Sequence, residues 1–394
     1  MILNADAQRY LKPVFDSVVV TPDIEYGFNY GFKGDSTKLF LDIYEPYGDT
    51  AVARPLLVLA HGGSFVQGSR KAQDITALCQ RLCKMGYVAV SIQYRLGVDI
   101  TSGKTLEQEF QQAVWRGTQD GRAAVRFMTK SIAMGNAYKL DPNQIYSGGI
   151  SAGGVLGLHL AFLDQPNEVA MLSIDTNIIG GIEGNSGNPG YSWKVKGVIS
   201  LCGALAYVSW INNNKDVSIC NMHGTMDATV PYKTAYFKFF GANVALLQGG
   251  FSVDSAAQKQ AIDTRLHTFE GANHVPFTGI TATQQMYMDT TVDYVARYLY
   301  SHVTGLIPTA ILEQKNARKS LLSYPNPAQT LLHVFGFEAG QSTWSLYDIQ
   351  GKLLLSKTSS ELAETIDVSV LPRGTYVLIT VCGDSTQQQK IVLN

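Results

Sequence analysis

The chain of 394 residues has no surplus of charge. Lys and Arg number 31 against 32 Asp and Glu, the net charge is −1, and charged residues make up only 16%. That balance leaves no electrostatic ground for binding nucleic acid or an anionic membrane surface. No apolar run approaches the ~20 residues that a membrane-spanning helix needs. Met1-Ile2-Leu3-Asn4-Ala5-Asp6 lacks the basic and hydrophobic regions of a signal peptide. On that basis the protein is either cytosolic or has lost a leader. Cysteine is scarce, and five is an odd number, so at least one thiol is unpaired. Cys79 and Cys83 lie one helical turn apart, where disulfide geometry is poor, and Cys202 and Cys220 also read as free core thiols. No C-x-x-C occurs, which removes the usual zinc and thioredoxin-like patterns.

Hydrophobic residues make up 45% of the chain, and its length leaves room for one large domain and a smaller one. Lys38 to Tyr44 alternates like a half-exposed antiparallel strand. From Pro55 the pattern turns to buried strands alternating with helices. Strands are predicted at Leu56–Ala60, Tyr87–Ile92, Gln144–Gly148, Val195–Leu201, Val217–Met222 and Arg265–Phe269. Helices are predicted at Ala72–Met85, Leu106–Thr129, Val155–Phe162 and Thr283–His302. This is an α/β arrangement with a mainly parallel sheet covered by helices on both faces, and chemistry on such sheets collects at the carboxyl ends of the strands. Gly180 to Tyr191 is too glycine-rich for regular structure and reads equally as a surface excursion or as a wall of the substrate cleft. Its Asn residues and nearby acids form no ordered calcium-ligand loop. Near Ile307-Pro308 the alternation ends. The expected division is 1–306, a linker over 307–322, and 323–394, where short strands split by turns fit a small β-sandwich.

Gly149-Ile150-Ser151-Ala152-Gly153, between a strand and a helix, reads as a serine nucleophile on a forced turn. A serine hydroxyl barely ionises at neutral pH, so it needs a base and an acid that orients the base. His274, in the loop after the last strand of the larger sheet, is the candidate base. His159, His267, His302 and His333 read as structural. Asp227, in the turn His223-Gly224-Thr225-Met226-Asp227-Ala228-Thr229-Val230-Pro231, is the candidate acid, with Asp254 and Asp263 as poorer substitutes. The order Ser151, Asp227, His274 outweighs the simpler reading of Asp227 as a turn cap. His61-Gly62-Gly63-Ser64-Phe65 follows the first buried strand. The amides of Gly63, Ser64 and Ala152 are assigned to the oxyanion hole, and His61 to holding the loop through its ring. Phe65, Met226, Trp210 and Trp193 are candidates for the substrate pocket, although each suits the core equally well.

These ordered motifs, together with Gln119 to Phe127, resemble the α/β-hydrolase family in its carboxylesterase and lipase branch, over about Leu39 to Thr304. In such esterases the helix corresponding to Gln119–Phe127 packs under the oxyanion loop. One departure is Ser64, where the hormone-sensitive-lipase group commonly has a third glycine; the backbone amide survives that change. A second resemblance covers Ser323 to Asn394. Tyr324-Pro325-Asn326-Pro327-Ala328, Leu346 to Lys352, Ile366 to Ser369, Leu371 to Val377 and Lys390-Ile391-Val392 are similar to a type IX secretion (Por) sorting domain. That likeness implies a Bacteroidota-type cell and export, and so accounts for a missing signal peptide. An accessory carbohydrate-binding sandwich is the alternative for this segment. Together the resemblances imply an exported serine esterase, monomeric and needing no metal or cofactor, that acts on short acyl, plant-polysaccharide or polyester substrates. A prolyl-oligopeptidase-type peptidase and a non-catalytic surface-binding protein remain as alternatives.

Overall fold

The computed structural model describes residues 8–172, 174, 176, 180–213, 216–239, 241–306, 322–324, 326–335, 342–359, 363–382 and 385–394. Two compact units emerge, Met1–Leu306 and Ile307–Asn394. In the first, strands β1 (Val18–Tyr30) and β2 (Ser36–Pro46) lead to β3 (Arg54–Ala60), helix α1 (Gln73–Cys83) and β4 (Val88–Ile92). Helix α2 (Leu106–Ala133) precedes β5 (Leu140–Ile150), which runs directly into α3 (Ala152–Phe162). Then follow β6 (Gly197–Leu201), the short β7 (Ala204–Leu205), β8 (Ser218–Gly224), and a hairpin of β9 (Thr234–Phe239) and β10 (Ala242–Gly249). Helix α4 (Gly250–Lys259), β11 (Thr264–Phe269) and α5 (Ala282–Thr304) complete the unit.

Eight strands form one sheet in the order β1-β2-β4-β3-β5-β6-β8-β11. From β4 to β11 all neighbours are parallel, and β2 and β1 extend that edge antiparallel. Every residue of β3 is buried. Its side chains alternate between two apolar cores, because successive residues of a strand point to opposite faces. Leu56, Val58 and Ala60 join the core under α2 and α3, while Leu57 and Leu59 join the core under α1 and α5. That double burial is why the strand reads as a continuous apolar run. Helices α2 and α5 each begin with a reciprocal capping box, Thr105 with Gln108 and Thr281 with Gln284.

The segment Gly180–Tyr191 contributes no residue to the cavity beside Ser151. It lies on the buried polar face of α2, which supplies the donors that its irregular backbone needs. The indole N–H of Trp115 donates to the Gly180 carbonyl at 3.0 Å, the Gln119 amide to Gly181 at 3.1 Å, and the Arg122 guanidinium to Ile182 at 2.6 Å. Arg126 donates to the Gly187 carbonyl at 2.9 Å. Asp120 binds Arg95 at 2.8 Å and accepts from Ser186 Oγ at 2.6 Å. The helix meets the oxyanion loop near Gly117, where Phe65 lies against the backbone. The stretch from Gln119 to Arg126 serves the glycine-rich loop and, through Arg122, the carboxyl end of α3.

In the second unit, β12 (Leu322–Tyr324), β13 (Leu331–Phe335) and β16 (Ala363–Asp367) form one antiparallel sheet. Strands β14 (Ser342–Asp348), β15 (Leu353–Ser359), β17 (Gly374–Cys382) and β18 (Ser385–Leu393) form another. Leu332, Val334, Trp344, Leu346, Leu378 and Ile391 make a core of its own. The connector expected over 307–322 lies outside the described residues apart from Leu322, as does the amino-terminal Met1–Asp6. Cys79, Cys83, Cys202 and Cys220 are free and buried.

Candidate active site

Strand β5 delivers Ser151 to the carboxyl edge of the sheet, between the ends of β3 and β6. A Cβ on Gly149 would collide with the Ala60 carbonyl of β3, and one on Gly153 with the same oxygen, so glycine on each side lets the turn lie against the strand. Ser151 itself sits at φ 54° and ψ −114°, a strained conformation for a residue with a side chain. Its amide donates to the Leu201 carbonyl at 2.7 Å, which pins the turn to β6.

His274 Nε2 lies 2.8 Å from Ser151 Oγ, and His274 Nδ1 lies 2.6 Å from Asp227 Oδ2. Three side chains spread over 123 positions thus meet at one sheet edge. An ionised carboxylate only accepts, so Nδ1 carries the proton and Nε2 is free to accept from the serine hydroxyl. Asp227 Oδ1 accepts from the amides of Thr229 and Val230, both at 2.9 Å. Burial opposes ionisation of Asp227, but hydrogen bonds from His223 and His274 outweigh it and hold the carboxyl at about 2. Asn273 Oδ1 ties the two loops together by accepting from the amides of Ala228 at 3.1 Å and His274 at 2.8 Å.

The loop after β3 takes positive φ at three successive residues, Gly63, Ser64 and Phe65. The amides of Gly63 and Ser64 have no partner among the described residues. A Cβ on Gly62 would lie 3.3 Å from Ser151 Cβ, so this loop runs beside the serine. Ala152 opens α3, where the first amides have no partner within the helix. His61 is buried, stacks on Tyr94 at 4.5 Å, and contacts the Gly62 carbonyl at 2.6 Å and Gln93 Nε2 at 3.1 Å. Burial keeps its ring neutral by lowering its pKa. It holds the loop and does not reach the serine.

A cavity of about 190 Å³ opens from Ser151, Ser64 and Ala152. Phe65, Phe110, Val114 and Val155 line one part, and Phe237 and Leu247 of the β9–β10 hairpin line another. Two expected pocket residues are corrected. Met226 is 67% exposed and absent from this wall, because its side chain leaves the Asp227 turn toward solvent. Trp210 is only 1% exposed and lies behind the wall, edge-on to His159 at 5.5 Å. Trp193 stacks instead with Arg122, 4.2 Å away. His159, expected to be purely structural, does line the cavity. Its Nδ1 binds the Val155 carbonyl at 2.8 Å, and burial lowers its pKa to about 4, so it faces the cavity uncharged. Asp254 is occupied by Thr264 and Gln258, and Asp263 by His302, so neither approaches His274. The hairpin escaped the sequence reading, although Thr234-Ala235-Tyr236-Phe237-Lys238-Phe239 carries the alternation that would have found it.

Residues 41–218 match the BD-FAE family model, and residues 323–394 match the secretion system C-terminal sorting domain model. The likeness is thus to a BD-FAE domain within the larger unit and to a sorting domain within the smaller one. The chain is similar to mouse carboxylesterase 3B, 37% identical over 119 residues, or 30% of this chain and 19% of the relative. It is also similar to a non-reducing polyketide synthase of Penicillium brevicompactum, 31% identical over 153 residues, covering 36% of this chain and 6% of the synthase. The chain thus spans less than a fifth of these curated relatives. Among solved structures it is similar to esterase 2 of Thermogutta terrifontis with propionate bound, at 20% identity and TM-score 0.48, covering 74% of this chain and 97% of that one. The match at residues 323–394 is to a domain that sorts proteins for a secretion system. No helix among the described residues is long and apolar enough to cross a membrane.

Proposed function

We propose that this hydrolase is an exported serine esterase that cleaves carboxylic esters through an acyl-enzyme. Ser151 Oγ attacks the ester carbonyl while its proton passes to His274 Nε2. Asp227 fixes the imidazole tautomer and balances the imidazolium that results. The carbonyl oxygen becomes an oxyanion held by the amides of Gly63, Ser64 and Ala152. The bond to the alkoxy group then breaks, and the leaving oxygen takes the proton from His274. Water, deprotonated by His274, attacks the acyl-enzyme, releasing the acid and restoring Ser151.

The observation that carries this reading is the unbroken run from Ser151 Oγ to His274 at 2.8 Å and from His274 to Asp227 at 2.6 Å. The apolar cavity beside Ser151 suits a short acyl or an aryl group, with the rest of the ester outside. Export favours environmental esters, such as acylated plant polysaccharides or polyesters, over metabolites. The test is hydrolysis of p-nitrophenyl acetate with and without a serine-reactive phosphonate, in the wild type and in Ser151→Ala. Turnover that the phosphonate abolishes and the variant lacks is expected; residual activity within tenfold of wild type in Ser151→Ala would refute the assignment. Acetyl, butyryl and feruloyl esters, compared with an insoluble polyester, rank the substrate classes.

A further inference from the structure

The proposed mechanism leaves one buried histidine beside its acid unused. His223, at the end of β8, is wholly buried. Its Nε2 lies 3.2 Å from Asp227 Oδ2, the same oxygen that binds His274, and 3.0 Å from the Val230 carbonyl. Its Nδ1 accepts from the Gly250 amide at 3.2 Å. A ring nitrogen that accepts carries no proton, so this contact puts the proton on Nε2, which donates to the Val230 carbonyl and also faces the carboxylate oxygen. The approach depends on glycine, since a Cβ at 250 would lie 3.0 Å from His223 Nδ1.

We infer that His223 is a positioning residue of the esterase site: a neutral second donor that holds Asp227 in one rotamer and tempers its charge toward His274. This rests on the serine esterase reading above. Asp227 then has two backbone amides on Oδ1 and, on Oδ2, the His274 N–H together with the N–H that His223 shares with the Val230 carbonyl. A second cation here would compete with the imidazolium that forms on His274. An uncharged imidazole adds a hydrogen bond without that penalty, and the Gly250 amide, by occupying Nδ1, keeps it uncharged. Two other titratable side chains lie near this pair, Cys202 and Tyr232. Burial, and then the charge of Asp227, push the Cys202 thiol up to about 12. Tyr232 meets the His223 ring edge-on at 5.8 Å and commits its hydroxyl to Thr268 Oγ1 at 2.9 Å.

Removing this donor leaves Oδ2 a stronger acceptor for His274, so the imidazolium becomes easier to form and harder to discharge. Two measurements on the full chain test this. One is an NMR titration of the His274 ring without substrate. The other is the pH dependence of Ser151 modification by diisopropyl fluorophosphonate. In His223→Leu the titration midpoint and the acid limb of modification should both move to higher pH, and the limiting rate should fall about tenfold. His223→Gln, whose amide N–H reaches the Nε2 position, should return both toward wild type. Should the Leu variant fail to fold, His223→Asn, whose amide stops short of Asp227, replaces it in the comparison. A folded donor-less variant with a wild-type midpoint, or a Gln variant no closer to wild type than Leu, overturns the role of His223. Wild-type protein left unmodified at Ser151 would overturn the esterase reading alone, while the NMR arm still decides His223.

Discussion

Ser151 pairs a left-handed backbone with a hydroxyl that is almost wholly buried, and two consequences follow at the scale of single residues. Strain at such a position costs of order 1–3 kcal/mol, so the chemistry and the stability of this site pull in opposite directions. Ser151→Gly should therefore unfold at a higher denaturant concentration than Ser151→Ala, by about 1 kcal/mol after glycine's own entropic cost, while both lose ester cleavage. Asp227 sets a pH limit. Its carboxyl, ordinarily near 3.8, is held at about 2 in the folded protein. A lowered folded-state pKa adds stability above the unfolded value, and that stability is lost as pH falls through the folded one. Denaturation midpoints should accordingly be level near neutrality and decline from about pH 4 toward pH 2. In Asp227→Asn that part of the decline should be absent, as urea titrations at each pH would register. The serine, aspartate and histidine were legible at this scale because the turn chemistry is local and the chain order is distinctive. The pairing of His223 with Asp227 was not, since it needs α4 to supply the Gly250 amide.

At the scale of elements, α2 and the β9–β10 hairpin divide the labour. The polar side chains Gln119, Asp120, Arg122 and Arg126 of α2 are fully buried. Gln119, Arg122 and Arg126 replace water for the carbonyls of Gly181, Ile182 and Gly187, in a segment without secondary structure of its own. Arg126→Met should strand the Glu183 and Gly187 carbonyls and cost about 2 kcal/mol, seen as a lower Tm, with turnover at permissive temperature retained. The hairpin works on specificity. Phe237 packs with Phe110 at 5.3 Å across the cavity wall. Phe237→Ala should enlarge the acyl site and raise the ratio of kcat/KM for butyryl over acetyl esters severalfold. A ratio unchanged from wild type would remove the hairpin from the acyl site.

At the scale of the whole chain, each unit has its own core, and the match to a sorting domain covers residues 323–394 only. Deleting 323–394 should abolish export while leaving esterase kinetics intact. Loss of activity in soluble, folded material would show instead that the smaller unit contributes to the site.

Sequence alone determined what is set by neighbours along the chain. The buried strands, the capped helices and the tight turn at Ser151 each follow from propensity, periodicity or spacing within a few tens of residues, while the motifs of residues 323–394 are read through their resemblance to a sorting domain. The tertiary structure decided which distant groups share a wall. It sent Trp210 and Met226 away from the cavity and brought His159 and Phe237 to it, gave the glycine-rich loop to α2, and set a second imidazole against Asp227. Those outcomes depend on how the sheet order and the helix packing bring separate strand ends together, and no local pattern encodes that.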